Sequence, residues 1–329
     1  MKHWMAVRAY SSPTMIQRQL SGSCLFYKEF GRGDNKNRLS ETERYVYNVC
    51  RREKRREIPM LHEKINLGNS GYGTRDTILT TYVQNNLEGV HARRRPAVII
   101  CPGGGYEYQS DRESEPIALE FLKRGYQAFI LEYAVLEENE TKGLLPYPQM
   151  DLAKAVAYVK EHQEVWNVDG EQITILGCSA GGNLCALYSG FYQQDWFIKK
   201  TGYSQKQMQV QAMILCYPVI DFRAGWPKED DIRRRISVEE AWQGAQNLVT
   251  EQTPRTFIWH TNTDGTVPAE NALLFAQALL RHGVDSECHM YHRGCHGLSL
   301  ANEQTKVRGE HLNPHVAGWF DTAFEWLEE

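Results

Sequence analysis

The sequence predicts an α/β protein: a mostly parallel, doubly wound sheet with flanking helices and a small cap insertion. Three observations carry that expectation. Residues 97–101 (AVIIC) and 212–216 (AMILC) are continuous apolar runs, not the alternating pattern of a strand with one wet face, so both faces should be covered. Such runs alternate with stretches of helical period, as in strand–helix–strand units. Finally, the apolar run at 173–176 enters Gly177-Cys178-Ser179-Ala180-Gly181 and then a helix-like segment at 184–188. A serine at a strand-to-helix turn is lifted above the sheet edge, and its small neighbours at 177 and 181 permit the turn to be tight.

Taken in order, residues 63–67 and 77–83 read as two short strands with Asn69-Ser70-Gly71-Tyr72-Gly73 turning between them. The buried strand 97–101 ends in Pro102-Gly103-Gly104-Gly105-Tyr106. Residues 117–124 form an amphipathic helix closed by Gly125, and 128–133 the next strand. Asp151 should cap a helix running to His162, with Leu152, Ala155, Val156 and Val159 on one face. After the 172–176 strand, the serine turn and the 212–216 strand comes a polar, irregular stretch at 220–252. It carries Trp226, Arg233-Arg234-Arg235 and Trp242, and reads as the cap insertion. Residues 256–260 and 287–291 are the last strands. A helix at 268–282 with Pro near its first turn lies between them, and 315–327 is a closing helix.

Composition narrows the class. A hydrophobic content of 42% with 24% charged residues is that of an ordinary globular protein, and no apolar run approaches the roughly 18 residues that span a bilayer. The eight cysteines (24, 50, 101, 178, 185, 216, 288, 295) form no Cys-x-x-Cys, which speaks against a zinc or redox motif and for reduced thiols in a cytoplasmic setting. No metal or cofactor is expected. The net charge of −4 hides an asymmetry. Residues 1–59 hold 13 Lys/Arg against 6 Asp/Glu (+7), and the remainder 24 against 35 (−11). Residues 1–59 are therefore expected to be a basic, poorly ordered extension, with Met60 a possible start of the working protein, and 60–329 a catalytic domain. An acidic body argues against nucleic acid as substrate.

Ser179 needs a base oriented by a third group. Both should lie on loops at the carboxyl ends of later strands. Strand 256–260 leads into Thr261-Asn262-Thr263-Asp264, and strand 287–291 into Arg293-Gly294-Cys295-His296-Gly297. In that order His296 would take the Ser179 proton, and Asp264 would fix the imidazole tautomer. Asp264 could instead simply cap the turn before the 268–282 helix. Asp221, Asp231 and Asp285 are rival acids, and His289 and His292 rival bases; His260, at a strand end, reads as structural. Gly104, Gly105 and the Ala180 N–H are the candidate oxyanion donors. The glycine run is not a P-loop, since no Gly-Lys-Ser/Thr follows, nor a dinucleotide fingerprint, since position 108 is Tyr.

Residues 62 to 329 resemble α/β-hydrolase-fold esterases of the acetyl-esterase, acetylxylan-esterase and feruloyl-esterase-like group. The resemblance rests on Pro102-Gly103-Gly104-Gly105-Tyr106, Ser110-Asp111-Arg112-Glu113 with Pro116, Gly125-Tyr126, and Gly177-Cys178-Ser179-Ala180-Gly181-Gly182. Trp259-His260-Thr261, Asp264 with Val267-Pro268, and Gly294-Cys295-His296-Gly297-Leu298 complete it. It implies metal-free deacylation of small esters, acetyl groups on sugars above all. Pro102 stands where many related lipases carry His, and residues 1–59 match nothing in the group. Two other classes remain: a peptidase or formamidase-like amidase on the same triad, and a non-catalytic ligand-binding relative. The segments 106–112, 134–148 and 220–252 are those expected to shape the pocket.

Overall fold

The computed structural model of this chain describes residues 60–85 and 94–329; the expected basic extension at 1–59 lies outside the described residues. Eight strands form one sheet in the order β1-β2-β4-β3-β5-β6-β7-β8. They are β1 (Lys64–Gly68), β2 (Thr77–Tyr82), β3 (Arg95–Cys101), β4 (Gln127–Glu132), β5 (Val168–Cys178), β6 (Ala212–Cys216), β7 (Arg255–Thr261) and β8 (Ser286–Tyr291). β2 pairs antiparallel with both β1 and β4, and every pairing from β4 through β8 is parallel. The expected strands thus all appear, and the two short early ones form the antiparallel margin.

Among the described residues nine α-helical segments accompany the sheet: α1 (Glu115–Lys123), α2 (Tyr147–Glu161), α3 (Ala180–Phe191), α4 (Asp195–Thr201), α5 (Gln205–Met208), α6 (Asp230–Ile236), α7 (Glu270–Arg281), α8 (Pro314–Ala317) and α9 (Trp319–Glu328). Side chains alternate across the central strands and so build two cores. Ala97 and Ile99 of β3 and Ile173 and Ile175 of β5 pack on one side with α2, α3 and α7. Val98, Ile100 and Leu176 pack on the other with Ile117 and Phe121 of α1 and Trp319 and Phe320 of α9. Four of the six described cysteines, Cys101, Cys178, Cys185 and Cys216, are free thiols buried in these layers. Residues 220–252 form no separate domain; they fold as α6 and short 3-10 turns beside the sheet.

Two expectations need correction. The closing helix is two pieces, with Gly318 serving as C-cap of α8 and N-cap of α9. More instructive is Asp151, which does not cap α2. That helix begins a turn earlier at Tyr147, with Pro148 in its first turn, where a missing N–H costs nothing. Asp151 lies inside the helix, 1% exposed. Its carboxylate accepts from the Ser70 and Thr77 hydroxyls and from the Ala134 N–H at 2.8 Å, tying the β1–β2 turn and the end of β4 to α2. Removing that acceptor strands three donors. Asp151→Ala is therefore expected to lower unfolding free energy by about 3 kcal/mol, read from the urea midpoint at unchanged m-value.

Candidate active site

The parallel register aligns the strand ends: Cys101 opposite Gly177, Cys178 opposite Cys216, and Cys216 opposite Trp259. All the loops leaving these carboxyl ends emerge on one edge of the sheet, where doubly wound folds place their ligands. Ser179 follows β5 at φ 54°, ψ −115°, a left-handed backbone rarely adopted by a non-glycine residue. Three backbone bonds hold it there. Its N–H donates to the Cys216 carbonyl at 3.0 Å, and its own carbonyl accepts from Val219 and Asn183, each at 3.1 Å. The glycines on either side are required by space: a Cβ on Gly181 would sit 2.0 Å from the Cys101 carbonyl oxygen, and one on Gly177 2.2 Å from that of Gly181.

Ser179 Oγ lies 2.7 Å from His296 Nε2, and His296 Nδ1 lies 2.6 Å from Asp264 Oδ2. The Asp264 side chain is fully buried. Its Oδ1 accepts from the N–H groups of Thr266 and Val267 at 2.9 and 3.0 Å. Burial pushes the Asp264 carboxyl upward, but the His296 hydrogen bond and charge, with those two N–H groups, outweigh it and leave it below the usual range. The carboxylate is thereby kept ionised against Nδ1–H, which leaves Nε2 free to accept from the serine hydroxyl.

The structure also separates the rivals. Asp221 is bound bidentately by Arg223, both contacts at 2.8 Å, and by Gln246 at 2.6 Å. Asp285 pairs with Arg255 at 3.2 Å, Asp231 is exposed on α6, and His289 sits on β8 against Glu287. His292 is exposed, outside the cleft lining. His260 is wholly buried, with Nδ1 accepting from the Thr261 N–H at 2.9 Å and lying 3.9 Å from Asp264 Oδ2.

The glycine loop rises beside the serine. Gly103 N–H is already engaged, donating to Glu113 Oε2 at 2.8 Å. Gly104 stands at φ +131°, where a Cβ would lie 2.1 Å from the Tyr108 carbonyl oxygen. Gly104 and Gly105 line the cleft together with Ser179 and His296, and Ala180 opens α3, where the first N–H groups have no intrahelical acceptor. The cleft holds about 350 Å³. Its walls include Tyr108, Arg112, Glu113, Trp226, Arg308 and His311. Of the segments expected to shape it, 107–112 and Trp226 contribute and 134–148 does not. Glu113, Tyr217 and the Arg308–His311 rim were not singled out as site residues from sequence. Glu113 enters the sequence reading only inside the string that carries the resemblance, and Tyr217 not at all.

The BD-FAE family profile matches residues 86–279. The chain is 31% identical over 216 residues to endo-1,4-beta-xylanase B of Butyrivibrio fibrisolvens, covering 64% of this chain and 34% of that one. It is 26% identical over 214 residues to an acetylxylan esterase of Xylanibacter ruminicola, covering 62% and 41%. The chain thus spans well under half the length of these two relatives. Among solved structures, carboxylesterase Cest-2923 of Lactobacillus plantarum superposes with a TM-score of 0.76 at 32% identity, over 82% of this chain and 97% of that one. An acetyl ester-xyloside bifunctional hydrolase of Caldicellulosiruptor lactoaceticus gives 0.67 at 28% identity, over 82% and 97%.

One pH dependence follows from His260. Burial, only partly offset by Asp264, lowers its pKa from 6.5 to about 4. The unfolded chain binds this proton at a higher pH than the folded one, so its share of stability is complete above pH 6.5 and drains away as pH falls towards 4. Between those values the parent should lose about 3 kcal/mol more than His260→Gln, at roughly 1.4 kcal/mol per pKa unit. Urea melts at pH 6.5, 5 and 4 check this, and parallel curves for the two proteins would refute it.

Proposed function

The chain belongs to the BD-FAE family of α/β-hydrolase-fold proteins, and from that premise we propose that it is a carboxylic ester hydrolase working through a serine acyl-enzyme. The observation that carries the reading is the unbroken hydrogen-bonded chain Ser179–His296–Asp264 at the floor of an open cleft. Similarity to a carboxylesterase over nearly that enzyme's whole length supports it.

In this reading Ser179 Oγ passes its proton to His296 Nε2 and attacks the ester carbonyl carbon. The Asp264 carboxylate stabilises the imidazolium that results. The carbonyl oxygen becomes an oxyanion facing the N–H groups of Gly104, Gly105 and Ala180, each donor worth about 3 kcal/mol in comparable sites. Collapse expels the alcohol, which takes its proton from His296. Water then repeats the sequence on the acyl-serine, releasing the acid and restoring the enzyme.

We further propose short acyl groups, acetyl above all, carried on a carbohydrate or other small alcohol. The cleft is small, and its rim presents Tyr108, 61% exposed, and Trp226, aromatic faces suited to a sugar ring. The names of the acetylxylan-esterase and acetyl ester-xyloside-hydrolase relatives point the same way. p-Nitrophenyl esters from acetate to octanoate, assayed beside acetylated xylo-oligosaccharides, test it: kcat/KM should be highest for the shortest chains and fall steeply beyond butyrate.

Ser179→Ala should lower kcat by several orders of magnitude with the fold intact, and residual turnover within tenfold of the parent would sink the assignment. Asp264→Asn keeps the serine and the N–H donors but favours the wrong imidazole tautomer, for a loss of about 10⁴ in kcat. Asp221→Ala and His292→Ala are the controls and should retain most activity. Protonated His296 cannot accept from Ser179, so kcat/KM should fall on the acid side.

We also propose that residues 60–329 form the complete catalytic body. A chain beginning at Met60 should then purify as a soluble esterase with the full chain's kcat/KM. An inactive or insoluble product would show that the basic segment completes the core or the site.

A further inference from the structure

We infer that Glu113 is a positioning residue that locks the oxyanion loop and the histidine loop in one register around Ser179; the inference rests on the ester-hydrolase reading above. Glu113 is 3% exposed, in a short turn ahead of α1, and makes no ion pair among the described residues. Burying a carboxylate without a counter-ion is costly, so its hydrogen bonds must offset the lost hydration. There are two, one at each oxygen. Oε2 accepts from the Gly103 N–H at 2.8 Å, and Oε1 from the Tyr217 hydroxyl at 2.7 Å.

Each bond leads to a different half of the site. Gly103 is clamped directly above the nucleophile: a Cβ there would be 2.6 Å from Glu113 Oε2 and 3.0 Å from Ser179 Cβ. With that peptide fixed, the next two residues, Gly104 and Gly105, which line the cleft, inherit its orientation. On the other side the Tyr217 hydroxyl accepts from the Ser299 N–H at 3.0 Å, and its ring stands edge-on to His296 with centroids 5.2 Å apart. Burial holds the Tyr217 phenol protonated far above its ordinary range, so it remains a donor to Glu113. Gly297, the residue after His296, lies over the same carboxylate: a Cβ there would be 3.8 Å from Glu113 Oε1. One buried anion thus touches the loop supplying the N–H donors and braces the loop supplying the base.

Glu113→Gln keeps the size and the bond to Gly103 but gives Tyr217 an NH₂ where it had an acceptor, so the phenolic proton loses its partner. A fold-only role predicts lower thermal stability with each surviving site working normally. A positioning role predicts that each folded site works worse. The test counts reactive sites with a fluorophosphonate probe and measures two things per site: the rate constant of Ser179 labelling, and kcat and KM for p-nitrophenyl acetate. Glu113→Gln should slow labelling and lower kcat about 10- to 100-fold, with KM within about threefold, as misplacement of donors and base requires. A boronic acid inhibitor should weaken by a similar factor. Tyr217→Phe should reproduce part of the loss, and the double variant should add little, because one network has been broken twice.

Labelling and kcat per site within twofold of the parent would overturn the proposal, as would a raised KM at unchanged kcat. If Glu113→Gln does not fold, Glu113→Asp and Tyr217→Phe carry the same readouts. The labelling rate needs no substrate. A parent that labels rapidly but turns over no ester would therefore sink the ester-hydrolase reading while still deciding the role of Glu113.

Discussion

The backbone of Ser179 is the constraint on which the rest depends. A non-glycine residue at φ 54° costs on the order of 1–3 kcal/mol, and it persists only where its surroundings over-determine it. Here they do. Ser179 is bonded at its N–H and its carbonyl to the segment leaving β6 and to the first turn of α3, while two glycines allow the chain to close on itself. The strand before it and the helix after it are buried almost throughout, so neither can relax to relieve the turn.

From that fixed point the parallel register does the positioning. Because β3, β5, β6, β7 and β8 end at matched levels, the segments carrying Gly103, Ser179, Tyr217, Asp264 and His296 leave the sheet as neighbours although they are distant in sequence. Side-chain bonds then join the segments to one another. Asp264 accepts from its own turn on one oxygen and from His296 on the other. Ser299 links the segment beyond His296 to the Arg112 carbonyl through its hydroxyl and to Tyr217 through its N–H. The site is braced by polar bonds in places where apolar packing alone would leave loops free to slide.

Much of this could be read from the sequence because it obeys a local period. Fully apolar five-residue runs and Gly-x-Ser-x-Gly between strand and helix report a buried parallel sheet without long-range information, and a short loop after the last strand, Gly294-Cys295-His296-Gly297, offers a histidine with reach beside rivals at 289 and 292. What escaped the sequence was pairing across distance. Asp151 carried the local signature of a helix cap, yet the tertiary demand of Ser70, Thr77 and the Ala134 N–H drew it into the helix interior. Glu113 and Tyr217 stand 104 residues apart, and no periodicity relates them. The split of the closing helix at Gly318 had a local signal, the glycine itself, which the apolar pattern on either side masked.

Three buried ionisable side chains, Asp264, His260 and Glu113, lie at or near the cleft, and their surroundings push them to different ends. Asp264 is supplied with donors and held as an anion. His260, only 3.9 Å from it, is denied solvent, receives a backbone N–H at Nδ1 and stays neutral, so it does not compete for the carboxylate that serves His296. Glu113 makes no ion pair among the described residues but receives two neutral donors, from the Gly103 N–H and the Tyr217 hydroxyl. A second cation near Asp264 would draw its charge away from His296; keeping His260 neutral leaves the Asp264–His296 hydrogen bond without a charged competitor at His260. A cation paired with Glu113 would satisfy the carboxylate locally and loosen its hold on Gly103 and Tyr217. Among the described residues no ion pair competes for Glu113, which leaves it to bridge Gly103 and Tyr217, and the same logic sets the two carboxylates apart: Asp264 is committed to His296 and its own turn, Glu113 to the glycine segment and Tyr217.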